Sequence, residues 1–271
     1  MAMLKKLFPF FIVAITWGLM IWAIAFFTHY KKADAKKYMA SSVSKPDWYK
    51  TIAAIPPPEG YERLHFASNS FARFLQNLPL KKDKTVYLFN GEKKQNQTAQ
   101  FAVVDMTVGK ENLQQCADAV MRLRAEYLWA NGQDRMISFK DNNGKKYQLQ
   151  LTASRVQFDR FLARVFAMCG SYSLAKELEP VPIGDMQCGD VLIRGGFPGH
   201  AVLIVDMAEN MVTHKRMYML AQGYMPAQDM HVLINPLKPG VPWYELNDSA
   251  IIYTPQYWFR KTELKRFGKG K

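Results

Sequence analysis

An α+β fold is predicted, with a helix-led half followed by a mostly antiparallel sheet and one apolar helix ahead of both. Three observations predict it. Residues 7–27 form a stretch without a charge. Residues 112–130 and 155–168 carry apolar side chains at helical spacing. Residues 191–222 hold three apolar or alternating runs separated by turn residues, the pattern of consecutive antiparallel strands.

The chain has 271 residues, of which 49% are hydrophobic and 13% aromatic, so it has material for one sizeable core and is not a disordered chain. No repeat of solenoid period is present. The net charge is +13, and residues 1–50 supply +6 of it. A basic body favours anionic partners such as lipid headgroups or wall polymers. No RNA-binding module, zinc-finger spacing or phosphate-loop glycine motif appears, so a nucleic-acid partner is not expected.

The elements follow in order. Residues 1–6 are a short tail. Residues 7–27, LFPFFIVAITWGLMIWAIAFF, are long enough to span a bilayer as a helix and read as a signal anchor. Lys5 and Lys6 precede the stretch and Lys31, Lys32, Lys36 and Lys37 follow it, so flanking charge does not set its orientation. The alternative is secretion after signal-peptide cleavage near Ala33-Asp34-Ala35, but a signal-peptide core is usually shorter, roughly 7–15 residues. No cysteine suited to lipidation follows, the first being Cys116. Residues 28–58 read as a tether ending in Pro56-Pro57-Pro58, a stiff spacer. Residues 59–271 read as a single α+β domain.

Within that domain, residues 69–78 are expected as a helix. Residues 85–89 and 99–108 are expected as strands joined by a turn at Asn90-Gly91. A strong helix is expected over 112–130, closed by Asn131-Gly132. Residues 136–139 and 146–151 flank Asp141-Asn142-Asn143-Gly144 as a hairpin, and residues 155–168 form another helix. Strands at 191–194, 201–207 and 217–222 follow, and Pro- and aromatic-rich strands finish the chain.

Two segments carry residues suited to chemistry. Leu113–Tyr127 places Cys116 in the first turn of a long helix, where the dipole and free backbone N–H groups favour a thiolate and an oxyanion. Gly189–Met207 reads as strand, glycine-rich turn and strand, with His200 at the opening of the second strand. A base needs an orienting partner. Asp206 shares the strand face of His200 but lies roughly 20 Å along it. If the next turn centres near Val212, His200 faces residues 222–224, which selects Gln222 as its neighbour.

A cysteine at a helix start, a Gly-His strand and a polar residue one strand later resemble the papain-like fold, above all its NlpC-type and CHAP-type peptidases and amidases. Residue by residue, that resemblance implies Cys116 as nucleophile, His200 as base and Gln222 as orienter. Gln115 is a candidate oxyanion donor, while Gln114 is expected to be a solvated side chain. The runs QQCADAVMRLRAEY, PGHAV with VDMA, and LAQ with YMPAQD resemble an uncharacterised family of secreted or membrane-anchored bacterial domains. That resemblance implies an extracytoplasmic body, and the resemblance to the peptidases and amidases implies cell-envelope peptides as the substrate class. A non-catalytic envelope module binding an anionic polymer or a partner protein is the alternative.

Bland roles are expected elsewhere. Asp190 caps a local turn. Arg122, Arg124 and Glu126 form a salt-bridged helix face, and Asp118 pairs with Arg122 at i,i+4. Cys169 and Cys188 are rival thiols that an oxidising compartment would allow to form a disulfide. No Cys or His pair has metal-ligand spacing, so neither a metal nor a cofactor is expected.

Overall fold

In a computed structural model of the chain, the described residues are 48–268. The expected anchor at residues 7–27 lies outside them. No helix among the described residues is long and apolar enough to cross a membrane.

Four helices form where caps and apolar spacing coincide. Ser70 Oγ accepts from the Arg73 N–H at 3.1 Å and opens α1 (Phe71–Gln76). In α2 (Cys116–Ala130), Asp118 Oδ2 accepts from the Gln115 N–H at 3.0 Å, one half of a capping box. The helix buries Val120, Met121, Leu123 and Leu128 and stops at Asn131, before Gly132 with φ +65°. Ser154 and Gln157 form the capping box of α3 (Arg155–Met168), which buries Phe158, Leu162 and Val165. The short α4 (Ser171–Glu177) has no counterpart in the sequence reading. Six or seven residues give too little periodicity to stand out from a loop.

A nine-stranded antiparallel sheet carries the rest. Its centre is β7 (His200–Asn210), flanked by β6 (Val191–Arg194) and β8 (Arg216–Gln222). Beyond β8 lie β9 (His231–Leu233) and β2 (Gln100–Val103), and beyond β6 lie β13 (Leu264–Arg266) and β5 (Glu179–Pro180). The strand β1 (Tyr61–Arg63) pairs with the far end of β7, and β10 (Trp243–Glu245) pairs with β8. Two separate hairpins are β3 (Ser138–Lys140) with β4 (Lys146–Gln148) and β11 (Ile251–Tyr253) with β12 (Trp258–Arg260).

The sheet is buried on both faces. Ala201, Leu203 and Val205 join the helices in the main core, while Val202 and Ile204 pack with Leu192, Leu220 and Phe259 in a second cluster. That explains the unbroken apolar run in β7. A bulge at Val205 shifts the register from Ile204↔Leu220 to Asp206↔Met219. Beyond it, Asp206 accepts from Arg63 Nε and Gln76 Nε2, each at 2.7 Å.

Two expectations change. The strand pair at 85–89 and 99–108 does not form. Val86 O accepts from the Lys94 N–H and the chain turns at Gly91, but β2 leaves this turn and pairs with β9. A hydrophobic strand goes where it buries most area, and that is the large sheet. Residues 48–58, read as tether, belong to the domain. Ile52 and Ile55 are fully buried, and Pro56 O accepts from Trp243 Nε1 at 2.8 Å. The three-proline run disguises a segment whose isoleucines are core.

Candidate active site

The first turn of α2, the start of β7 and the end of β8 converge. Gly223 is the seam between β8 and the helix start. A Cβ there would stand 2.8 Å from Gln115 O and 3.1 Å from Ala119 Cβ, so only glycine lets β8 abut the helix. Gly199 is similar, since a Cβ would collide with Ser171 Oγ and Gly196 O. Gly223 places Gln222 beside the start of α2, and Gly199 seats His200 against the start of α4.

Cys116 is the first residue of α2 and is partly exposed. The backbone N–H of Ala201, the residue after His200, lies near enough to its sulfur to favour the thiolate. The sulfur therefore lies near the start of β7. His200 shares the sheet face of Val202 and Ile204, whereas α2 packs against the face of Ala201 and Leu203, so Cys116 and His200 approach the end of β7 from opposite faces of the sheet. His200 is buried, and its Nε2 donates to Gln222 Oε1 at 2.8 Å. The three residues singled out by sequence are thus brought to one end of the sheet.

Aromatic rings enclose the imidazole. Tyr224 stands edge-on at 4.9 Å, Tyr257 lies at 5.0 Å, and Phe259 stacks at 5.9 Å. Burial therefore pushes His200 down to about 4, aided by the nearby Lys94 charge. Burial drives the Cys116 thiol up to about 11, and the Asp118 carboxylate adds to it. Backbone hydrogen bonds from Ala201, Ala117 and Cys116 itself oppose that rise without reversing it. The thiolate expected from the helix dipole is therefore not the resting form, because desolvation outweighs the dipole. At neutral pH the pair rests as thiol and neutral imidazole.

Behind Gln222 lies a polar chain that sequence reasoning missed. Gln222 Nε2 is 3.0 Å from Gln256 Oε1 and 3.2 Å from His231 Nε2. Lys94 Nζ donates to the same Gln256 oxygen at 2.7 Å and lies 5.4 Å from the Tyr224 ring centre. His231 Nδ1 donates to Asp229 O at 2.9 Å. Burial lowers Lys94 to about 8 and His231 to about 3. Only the β8–β9 register, which sets Gln222 opposite His231, was a usable signal.

The other predicted residues are placed as follows. Gln115 is the N-cap, and its backbone N–H is spent on Asp118. Gln114 is buried rather than solvated and accepts from Arg122 Nη1. With Arg122, Arg155 and Phe166 it lines a cavity of about 330 Å³. Asp118 does not pair with Arg122, whose Nε lies 3.5 Å from Glu126 instead. Arg124 stacks on Phe71, Tyr127 and Phe267. Asp190 does cap its turn, accepting from the Gln187 N–H at 2.8 Å, and also holds Arg266. Cys169 and Cys188 do not form a disulfide, and all three cysteines are free thiols.

Two stretches, residues 52–151 and 147–266, match the family described as domain of unknown function 4846, and together they take in most of the chain. The chain belongs to that family. The 4846 domain accordingly includes residues 52–58, in agreement with the buried Ile52 and Ile55. It also contains every residue of the site, from Lys94 to Gln256. No curated protein and no solved structure matches the chain.

Proposed function

We propose that this protein is a membrane-anchored envelope hydrolase, a thiol amidase or peptidase of papain-like type acting on cell-envelope peptides. The observation that carries the reading is the His200–Gln222 hydrogen bond of 2.8 Å at the end of the sheet where Gly223 packs against the helix start that bears Cys116. A nucleophile, a base and an orienting amide are the groups that acyl transfer needs. In this reading, Cys116 Sγ attacks an amide carbonyl while its proton passes to His200 Nδ1, the ring nitrogen that Gln222 leaves free. The imidazolium then protonates the departing amine, and water cleaves the thioester. Because both groups rest neutral, the proton moves as the S–C bond forms rather than before it.

A second reading is favoured by the raised Cys116 thiol, which suits a buried structural cysteine. It makes the protein a non-catalytic envelope module. The 330 Å³ cavity beside Gln114 and Arg122 is then the place for a ligand or partner group.

Treatment with 1,3-dibromoacetone separates the two. The hydrolase reading expects a covalent bridge between Cys116 and His200, seen by peptide mass spectrometry. It also expects cleavage of wall-derived peptides that Cys116→Ala abolishes. Absence of the bridge, or cleavage surviving in Cys116→Ala, overturns it.

A further inference from the structure

The chain behind Gln222 contains two groups whose hydrogen-bonding role admits no choice. A lysine ammonium only donates, and a backbone carbonyl only accepts. Lys94 Nζ at 2.7 Å therefore fixes the facing Gln256 atom as oxygen. That oxygen needs a donor from Gln222 at 3.0 Å, so the Gln222 atom is Nε2. On the other side, Asp229 O at 2.9 Å requires His231 Nδ1 to carry a proton. The neutral His231 ring then has a bare Nε2, which also demands a donor from Gln222 at 3.2 Å. Two independent routes, from β9 and from the 94–256 side, impose one orientation on the Gln222 amide. Its oxygen must face His200 Nε2, which must carry the proton.

We propose that Lys94, through Gln256, and Asp229, through His231, are positioning residues that lock the Gln222 amide and hold His200 as the Nε2–H tautomer. Resting on the hydrolase reading, this keeps Nδ1 unprotonated and ready to take the Cys116 proton. The two buried histidines thus carry opposite tautomers. A purely structural network would hold the same atoms without any need for His200 to keep one form. A lock that prevents amide rotation matters because a flipped Gln222 would present an N–H to His200 and stabilise the wrong ring form. The wrong tautomer is among the most damaging single faults a histidine base can have.

The test is long-range ¹H–¹⁵N correlation on the full chain, with ¹⁵N-labelled histidine, in detergent micelles at pH 7. The expected result is Nε2–H for His200 and Nδ1–H for His231. Nδ1–H at His200, or exchange between forms at either ring, overturns the proposal. In the double variant Lys94→Met/His231→Leu, the His200 signals are expected to split between tautomers. Iodoacetamide alkylation of Cys116 should slow by ~10-fold, the lower end of what loss of outer orienting partners costs. Lys94→Arg, which keeps a pure donor, is expected to retain the wild-type tautomer and rate. A double variant that keeps pure Nε2–H overturns the lock. The tautomer is read without turnover, so a correct tautomer with no hydrolysis removes the hydrolase reading alone. A wrong tautomer with hydrolysis intact removes the lock alone.

Discussion

Asp118 is a single carboxyl group with two different oxygens. Oδ2 caps the Gln115 N–H, whereas Oδ1 is buried without a hydrogen-bond partner among the described residues. Burial pushes the group up to about 7 from an ordinary 3.8. The folded state therefore holds its proton more tightly than the unfolded chain does. That contribution to stability is complete below about pH 4 and is lost as pH rises towards 7. Asp118→Asn keeps an acceptor for the cap and has no proton to lose. Its melting temperature relative to wild type should rise between pH 5 and pH 8, read by calorimetry. A difference that stays flat or falls contradicts the burial account. Because the Asp118 charge also raises the Cys116 thiol, the same variant should alkylate somewhat faster at pH 8. Nothing in the local sequence announces this role, since an Asp at the third helix position normally stays in water as a cap.

At the scale of elements, the meeting of α2 with β8 decides whether the site exists. Gly223→Ala places a methyl group against Gln115 O and Ala119 Cβ, both in the first turn of α2. The helix start must move away, at a cost of ~1–3 kcal/mol. Urea unfolding should show that loss, and dibromoacetone bridging should fall with it. Unchanged bridging would mean that the seam does not set the distance. The helices were legible because their caps and period agree with their burial, as at Ser154 and Phe158. The nearness of Gln222 to His200 was legible because two consecutive antiparallel strands set it by local rules. Lys94 and Gln256 were not, because 162 residues separate the two and only the finished fold brings them together. The supposed strand at 85–89 failed for a related reason. Its expected partner found a better-buried neighbour in β9.

For the molecule as a whole, the domain begins at Trp48 rather than after the prolines. Trp48 Nε1 donates to Leu80 O at 3.0 Å, Ile52 N–H donates to Leu78 O, and Arg63 reaches Ile55 O. A chain starting at residue 59 should be less stable than one starting at residue 48. Two buried isoleucines contribute roughly 1.5–3 kcal/mol each. Denaturant titration of the two chains tests this, and equal midpoints would return residues 48–58 to the tether. If the apolar stretch at 7–27 anchors the chain, the link between bilayer and domain is then only about 20 residues.

The hairpin of β11 and β12 has a consequence for how the protein is made. Cys116, His200 and Gln222 all leave the ribosome before Gln256, Tyr257 and Phe259, which enclose the imidazole and anchor its partner amide. A nascent chain therefore presents the Cys116 thiol before the residues that complete the surroundings of His200 exist.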